Sequence, residues 1–348
     1  MSNLANTNLF KHAPKELVTD AFITWLFYFL DCDEYYMQKK IVFDELLLKP
    51  EDIGKEVNKI KIIKQQTSNF GRTDIILEFN LNGKEEKILF ENKTWTTTNE
   101  RQLNDYKKAN PEFYKYIYLK LAYVDYEELK LTKRCGYEVI DVFKLSQTFS
   151  KIKNINLILM QYLEYIDFTF KDHISQFPLK LLNENNTALL WDGQAQHFLV
   201  DEIYKQIDGK VSGLCLRYGS SFGRPWTQLD IYETDNIYGK TEEKIFWRVD
   251  IRGGEFYLRL NQYAYIDISH KELKLKRLEK LREIANNISN KLLLVGGRLS
   301  NKGLMESEII IFFLNQNRIK SLLDLIPTFT LEFIVEYEKI LIPIESPK

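Results

Sequence analysis

The chain has 348 residues, 48 Lys and Arg against 49 Asp and Glu, and 45% hydrophobic with 14% aromatic side chains. That composition is one of a soluble globular protein long enough for two domains, and it excludes a strongly basic nucleic-acid-binding tail. The balance holds in each half: residues 1–170 carry 24 basic against 25 acidic groups and residues 171–348 carry 24 against 24. Any nucleic-acid affinity must then come from local patches and be sensitive to salt. Cys32, Cys135 and Cys215 are odd in number and in no metal-ligand spacing, which reads as reduced thiols in a cytoplasmic protein. His12, His173, His197 and His270 are scattered and make no zinc motif. The polar N-terminus has no secretory signal, the apolar run 21–30 is about half a membrane span, and no glycine-rich phosphate loop is present.

In chain order, the patterns predict a helix over 14–30, a helical or loop region over 34–54, and strands over 56–65, 72–79 and 87–93. A helix over 98–109 follows, then strands at 115–123 and 137–143 and a helix over 150–164. A polar stretch, Asn183-Glu184-Asn185-Asn186-Thr187, marks a boundary region. Beyond it the chain reads as helix 191–207, strands near 212–218, 226–233, 244–251 and 255–261, helix 270–290, strand 307–314 and helix 319–340. Arg252-Gly253-Gly254-Glu255 turns the last pair of that strand series into a hairpin. There is no internal repeat.

The segment richest in chemistry starts at Asp74. Gly71-Arg72-Thr73-Asp74-Ile75-Ile76-Leu77-Glu78-Phe79 is followed by an Asn82-Gly83 turn and by Ile88-Leu89-Phe90-Glu91-Asn92-Lys93. Two β-rich runs around Asn-Gly predict a hairpin. Alternation along a strand sends Glu91 and Lys93 to one face and Asn92 to the other. A carboxylate and an ammonium thus end an apolar strand, and the neighbouring strand can add the Asp74 carboxylate. Such a set suits metal-assisted phosphodiester hydrolysis, with carboxylates on a hard divalent cation and a lysine beside the attacking water. A chance E-x-K is common, so the context decides. The following helix carries Gln102 and Tyr106 four residues apart, on one face, with Thr97 or Thr98 as its expected cap and Asn110-Pro111 as its end.

The order of these motifs resembles the PD-(D/E)XK nuclease superfamily, in a bacterial branch with a helix-borne Glu before the core and a QxxxY motif after it. The first helix, Pro14-Lys15-Glu16-Leu17-Val18-Thr19-Asp20-Ala21-Phe22-Ile23-Thr24-Trp25-Leu26, is similar to that branch's E-L-x-x-D-A-F-x-x-W-L opening, and the resemblance covers residues 8 to 165. Thr73-Asp74 stands where the family name has Pro-Asp. Gln65-Gln66 stands where some relatives carry an acid, which weakens a claim to two full metal sites. The resemblance implies an α/β fold, a restriction-endonuclease-like mixed sheet flanked by helices, over residues 1–170, and leaves a C-terminal α+β domain over 171–348.

By the same resemblance, Asp74 and Glu91 ligate Mg²⁺ or Mn²⁺, with the Asn92 carbonyl as a third oxygen and Glu16 completing the acidic cluster. Lys93 orients or activates water, and Gln102 and Tyr106 position the phosphate or the lysine. The implied activity is a metal-dependent nuclease acting on DNA rather than RNA, in phage defence or repair, with dimerisation open. The alternatives are a catalytically silent nucleic-acid-binding module on the same fold, and an effector whose C-terminal domain senses a regulatory partner. In that domain, residues 271–282 place six basic residues around a leucine stripe. This reads first as a solvated helix face and second as a phosphate contact. Trp226, Trp247, Tyr257 and Tyr263 read as core before they read as base-stacking platforms.

Overall fold

The Asn82-Gly83 turn forms as its sequence dictates. Both residues take left-handed backbone angles, φ 49° and 90°, the geometry whose twist matches a two-residue hairpin. In this computed structural model, residues 8–12, 15–64, 67–68, 71–237, 241–264, 271–297, 299, 305–315 and 318–341 are described. The chain divides into two units, Met1–Ser175 and Gln176–Lys348.

The first unit opens with α1 (Lys15–Leu30) and α2 (Tyr36–Val42), the latter running into a π turn at Phe43–Leu47. Strand β1 (Val57–Lys64) leads to a short ribbon, β2 (Thr67–Ser68) with β3 (Gly71–Arg72). The hairpin is β4 (Ile75–Leu81) with β5 (Lys84–Lys93), and α3 (Glu100–Ala109) follows. Then come β6 (Lys115–Lys120), α4 (Tyr126–Arg134), β7 (Glu138–Asp141), α5 (Val142–Ser150), α6 (Leu157–Ile166) and α7 (Asp172–Gln176). The sheet order is β1-β4-β5-β6-β7. β1, β4 and β5 pair antiparallel, whereas β5, β6 and β7 pair parallel, because α3 and α4 carry the chain back between them. β5 is wet at its start and buried from Ile88 onward, so its chemical end lies inside the unit. α1 packs on this strand through Phe27 and Phe90, 6.1 Å between rings, and on α6 through Phe22 stacked on Tyr162 at 3.6 Å.

Three local expectations differ from the structure. Asn99, not Thr97 or Thr98, caps α3: its Oδ1 accepts from the Gln102 amide at 2.9 Å. Between β6 and β7 lies a helix, α4, that the hydrophobic pattern does not show. Its buried face carries Glu128 and Thr132, polar residues four apart, so no apolar period exists to be read. The helix expected over 150–164 starts only at Leu157, as α6, where Asn156 Oδ1 caps the Ile158 amide at 2.8 Å; α5, over Val142–Ser150, is a separate helix that takes the last two residues of the strand expected over 137–143. Gln65-Gln66 lies outside the described residues.

The second unit is α+β. Helix α8 (Gly193–Ile207) precedes β8 (Cys215–Ser221), β9 (Arg224–Ile237), β10 (Thr241–Arg252) and β11 (Glu255–Ala264); α9 (Lys271–Lys291), β12 (Glu306–Phe313) and α10 (Ile319–Leu341) follow. The strands form one antiparallel sheet in the order β12-β11-β10-β9-β8. Trp247 is fully buried on the face covered by α10, and its indole donates to Thr330 Oγ1 at 2.9 Å. Glu243 is buried and receives the Arg277 guanidinium at 2.7 to 2.9 Å, together with Gln262 and the Tyr337 hydroxyl. Four elements are tied by that one carboxylate.

The basic helix reads differently in place. Arg277 pairs inward with Glu243, Lys274 is buried and donates to the Met305 carbonyl at 2.8 Å, and Arg282 donates to the Glu308 carbonyl at 2.7 and 2.9 Å. Half of the six basic residues therefore serve the unit's own polar interior rather than a solvated face or a phosphate.

Candidate functional site

Register assembles the site. Ile75, the first residue of β4, pairs with Phe90 of β5, so Asp74 sits beside Glu91 and Asn92 at the hairpin's open end. Asp74 Oδ2 accepts the backbone N–H of Asn92 at 2.9 Å, which pins the start of one strand to the end of the other. Glu91 is fully buried; its Oε1 accepts from Lys93 Nζ at 2.6 Å and from Gln102 Nε2 at 2.8 Å. The second carboxylate oxygen, Oε2, is buried with no hydrogen-bond partner among the described residues. Gln102 also donates to the Tyr106 hydroxyl at 3.0 Å, and Thr98 donates to Gln102 Oε1 at 3.2 Å. Both amide protons of Gln102 are thereby committed, one to the carboxylate and one to the phenol. The structure brings together Asp74, Glu91, Lys93, Gln102 and Tyr106, all within a stretch of 33 residues.

Electrostatics mark Glu91. Burial pushes its carboxyl up to about 7, the nearby Asp74 charge pushes the same way, Lys93 opposes, and Asp20 adds a further upward push. A buried acid beside a like charge is costly to ionise even with Lys93 paired to it. Burial also raises the Tyr106 hydroxyl above its ordinary value, so it stays protonated where it accepts from Gln102.

Asn92 behaves as alternation requires. Its side chain leaves the opposite face of β5 and donates to Asp20 Oδ1 on α1 at 2.9 Å. Glu16, the first-helix acid expected in the cluster, lies in the first turn of α1, and its side chain is outside the described residues. Asp20, one helical turn further on, is an acid of α1 that reaches the strand. It stood in the first-helix segment without a role, because a contact spanning 72 positions has no local signal.

A second overlooked residue is Lys120. In the parallel register Glu91 lies opposite Tyr118 and Lys93 opposite Lys120, so all four share one face of the sheet. Lys120 is almost fully buried; its ammonium donates to the Thr96 carbonyl at 2.5 Å and to Glu128 Oε1 at 3.2 Å, and the Tyr118 hydroxyl joins the same carboxylate. Thr96 lies in the connection from Lys93 to α3, so Lys120 holds the segment that delivers Gln102. Alternation through Tyr116, Tyr118 and Lys120 was the available clue.

Among the described residues no three acidic, imidazole or thiolate side chains are placed to hold a metal by themselves. The donor set nevertheless suits a hard divalent cation: two adjacent carboxylates, one with an orphaned buried oxygen, on a backbone that offers carbonyl groups. No described helix is long and apolar enough to cross a membrane.

No family model matches the sequence, and no curated protein matches it. Among solved structures, one match is the MspJI restriction endonuclease in complex with a 27-mer oligonucleotide, at 13% identity and a TM-score of 0.26. That match covers 44% of this chain and 36% of the other, so the chain spans about a third of that enzyme's length. At this level the likeness carries no weight for the site.

Proposed function

We propose that the unit Met1–Ser175 is a metal-dependent nuclease that hydrolyses phosphodiester bonds, with DNA as its substrate, in phage defence or repair as the resemblance to PD-(D/E)XK enzymes implies. The observation that supports this most is the buried Glu91, bonded at once to Lys93 and Gln102 and facing Asp74, with one oxygen unpartnered among the described residues. A buried carboxylate with one oxygen unpartnered and a second carboxylate beside it is costly to keep ionised even when paired with Lys93, and a cation at this place would offset that cost.

Asp74 and Glu91 would hold Mg²⁺ or Mn²⁺, with the Asn92 carbonyl and Glu16 as further oxygen donors. The ion supplies a lowered pKa for bound water and neutralisation of charge on the phosphate. Lys93, half-buried, keeps its ammonium next to Glu91 and can donate to the water or to a non-bridging phosphate oxygen. Gln102 fixes the Glu91 oxygen that Lys93 shares, and Tyr106 fixes Gln102. Asp74 locks the Asn92 amide and so the direction of the strand end.

The test is incubation of the wild type, Lys93→Ala and Asp74→Ala with linear, circular and single-stranded DNA and with RNA, in Mg²⁺, Mn²⁺ or EDTA. Cleavage is expected only with a divalent ion. Lys93→Ala should lose cleavage while binding Mn²⁺ as the wild type does, and Asp74→Ala should lose both. Normal cleavage by Asp74→Ala would refute the assignment. Failure of the wild type to cleave any substrate would remove the proposed activity.

A further inference from the structure

The β8–β9 hairpin has a tip that its own fold does not use. Phe222 and Gly223 form the turn, with φ of 51° and 73°, and Ser221 pairs with Arg224 across it. At the first turn position Asn, Asp or Gly is the ordinary choice, since a side chain there is disfavoured by its own backbone. Here the residue is phenylalanine, and its side chain is fully exposed, at 104% of reference. An aromatic ring is thus held in water in a backbone conformation that resists it.

The stem below the tip is braced on both strands. The Trp226 ring lies across Gly219, where an added Cβ would come within 2.9 Å of it, and the Arg248 guanidinium sits 5.5 Å from the same ring. On the other strand, Tyr218 packs against His197 of α8 with ring centroids 4.0 Å apart. The ring is therefore presented by a supported ribbon. Residues 215–227 contain two arginines and no acid. Arg217 pairs with Asp230 at 2.9 Å, and Arg224 is exposed beside the tip. Along the chain the ring is flanked by Ser220, Ser221, Gly223 and Arg224, two hydroxyls, a glycine and an exposed guanidinium. One flat ring rimmed by hydroxyls and a guanidinium matches a base step flanked by phosphates.

We propose that this hairpin enters a groove of duplex DNA, that Phe222 wedges against a base step, and that Arg224 contacts the phosphate beside it. The inference deepens the nuclease reading by giving the second unit the task of engaging the substrate duplex.

The experiment uses the full chain in EDTA, where cleavage is not expected, and a short labelled duplex with 2-aminopurine placed at successive steps. Wild type should raise 2-aminopurine fluorescence at one or two steps as it binds. Phe222→Asn suits the left-handed turn better, so it should unfold at the same temperature as the wild type or higher, yet lose that rise and bind roughly tenfold more weakly. Phe222→Trp should restore binding. Arg224→Ala should lower the salt slope of log K by about 1. Wild-type affinity and fluorescence in Phe222→Asn would overturn the proposal. So would a Phe222-dependent affinity for anionic phospholipid vesicles without any for duplex. A Phe222-dependent signal from a protein that cleaves nothing in Mg²⁺ or Mn²⁺ would leave the hairpin standing and remove the nuclease. Cleavage unaffected by Phe222→Asn, with unchanged binding, would do the reverse.

Discussion

Glu91→Gln should stabilise the metal-free protein at pH 8 and do little at pH 5. The Glu91 carboxyl moves from an ordinary value of 4.5 to about 7 in the fold, chiefly through burial and then through Asp74. An acid whose folded value is raised favours the folded state while it is protonated, and that stability is lost as pH rises from about 4.5 through about 7. The full difference corresponds to about 3 kcal/mol. Glutamine keeps the carbonyl that accepts from Gln102 and carries no charge, so it resembles the protonated acid. The expected result, from urea denaturation of the full chain in EDTA, is a variant about 2 to 3 kcal/mol more stable than wild type at pH 8 and within ~1 kcal/mol of it at pH 5. Adding Mn²⁺ at pH 8 should reverse the order, because binding to the folded state stabilises only the protein that retains the acid. If Glu91→Gln proves less stable by the same amount at both pH values, Lys93 alone keeps Glu91 ionised at no cost, and the account of a strained carboxylate fails.

Three further outcomes follow from the same contacts. Asp20→Asn should lower the Glu91 pKa below about 7, since it removes one of the charges that raise it; carboxyl-carbon NMR titration reads this directly. Lys120→Met leaves Glu128 buried without its cation and frees the Thr96 carbonyl, a loss of about 3 to 5 kcal/mol; adding Glu128→Leu should recover most of it, while amide exchange in residues 94–98 stays faster than in wild type. Arg277→Met should destabilise the second unit by a similar ~3 to 5 kcal/mol, as Glu243 then loses its paired guanidinium and keeps the Gln262 and Tyr337 hydrogen bonds and the more distant Lys274 charge, and a separate early unfolding transition should appear in calorimetry.

The hairpin and its three charged residues were legible because each rests on a local rule: Asn-Gly for the turn, a period of two for the faces, and burial of the β5 end for the company Glu91 keeps. Gln102 and Tyr106 were legible as one helix face. What stayed hidden was polar and long-range. Lys120 and Glu128 each look like surface residues alone and become interior only as a pair, which also concealed α4. Asp20 gains its role from Asn92, and the inward turn of Lys274, Arg277 and Arg282 depends on Met305, Glu243 and Glu308, none of them local to α9. Periodicity reports apolar faces, so an interior built from charge pairs leaves no trace in it.

The Asn82-Gly83 turn lies at the far end of the hairpin from Asp74, and seven paired positions separate them. At about 3.4 Å per residue that is roughly 25 Å, beyond the reach of any side chain at the site. The turn is therefore a handle: a fluorophore, an affinity tag or a short inserted peptide attached there would ride on the same two strands that carry the acids. It would report on their environment without touching them.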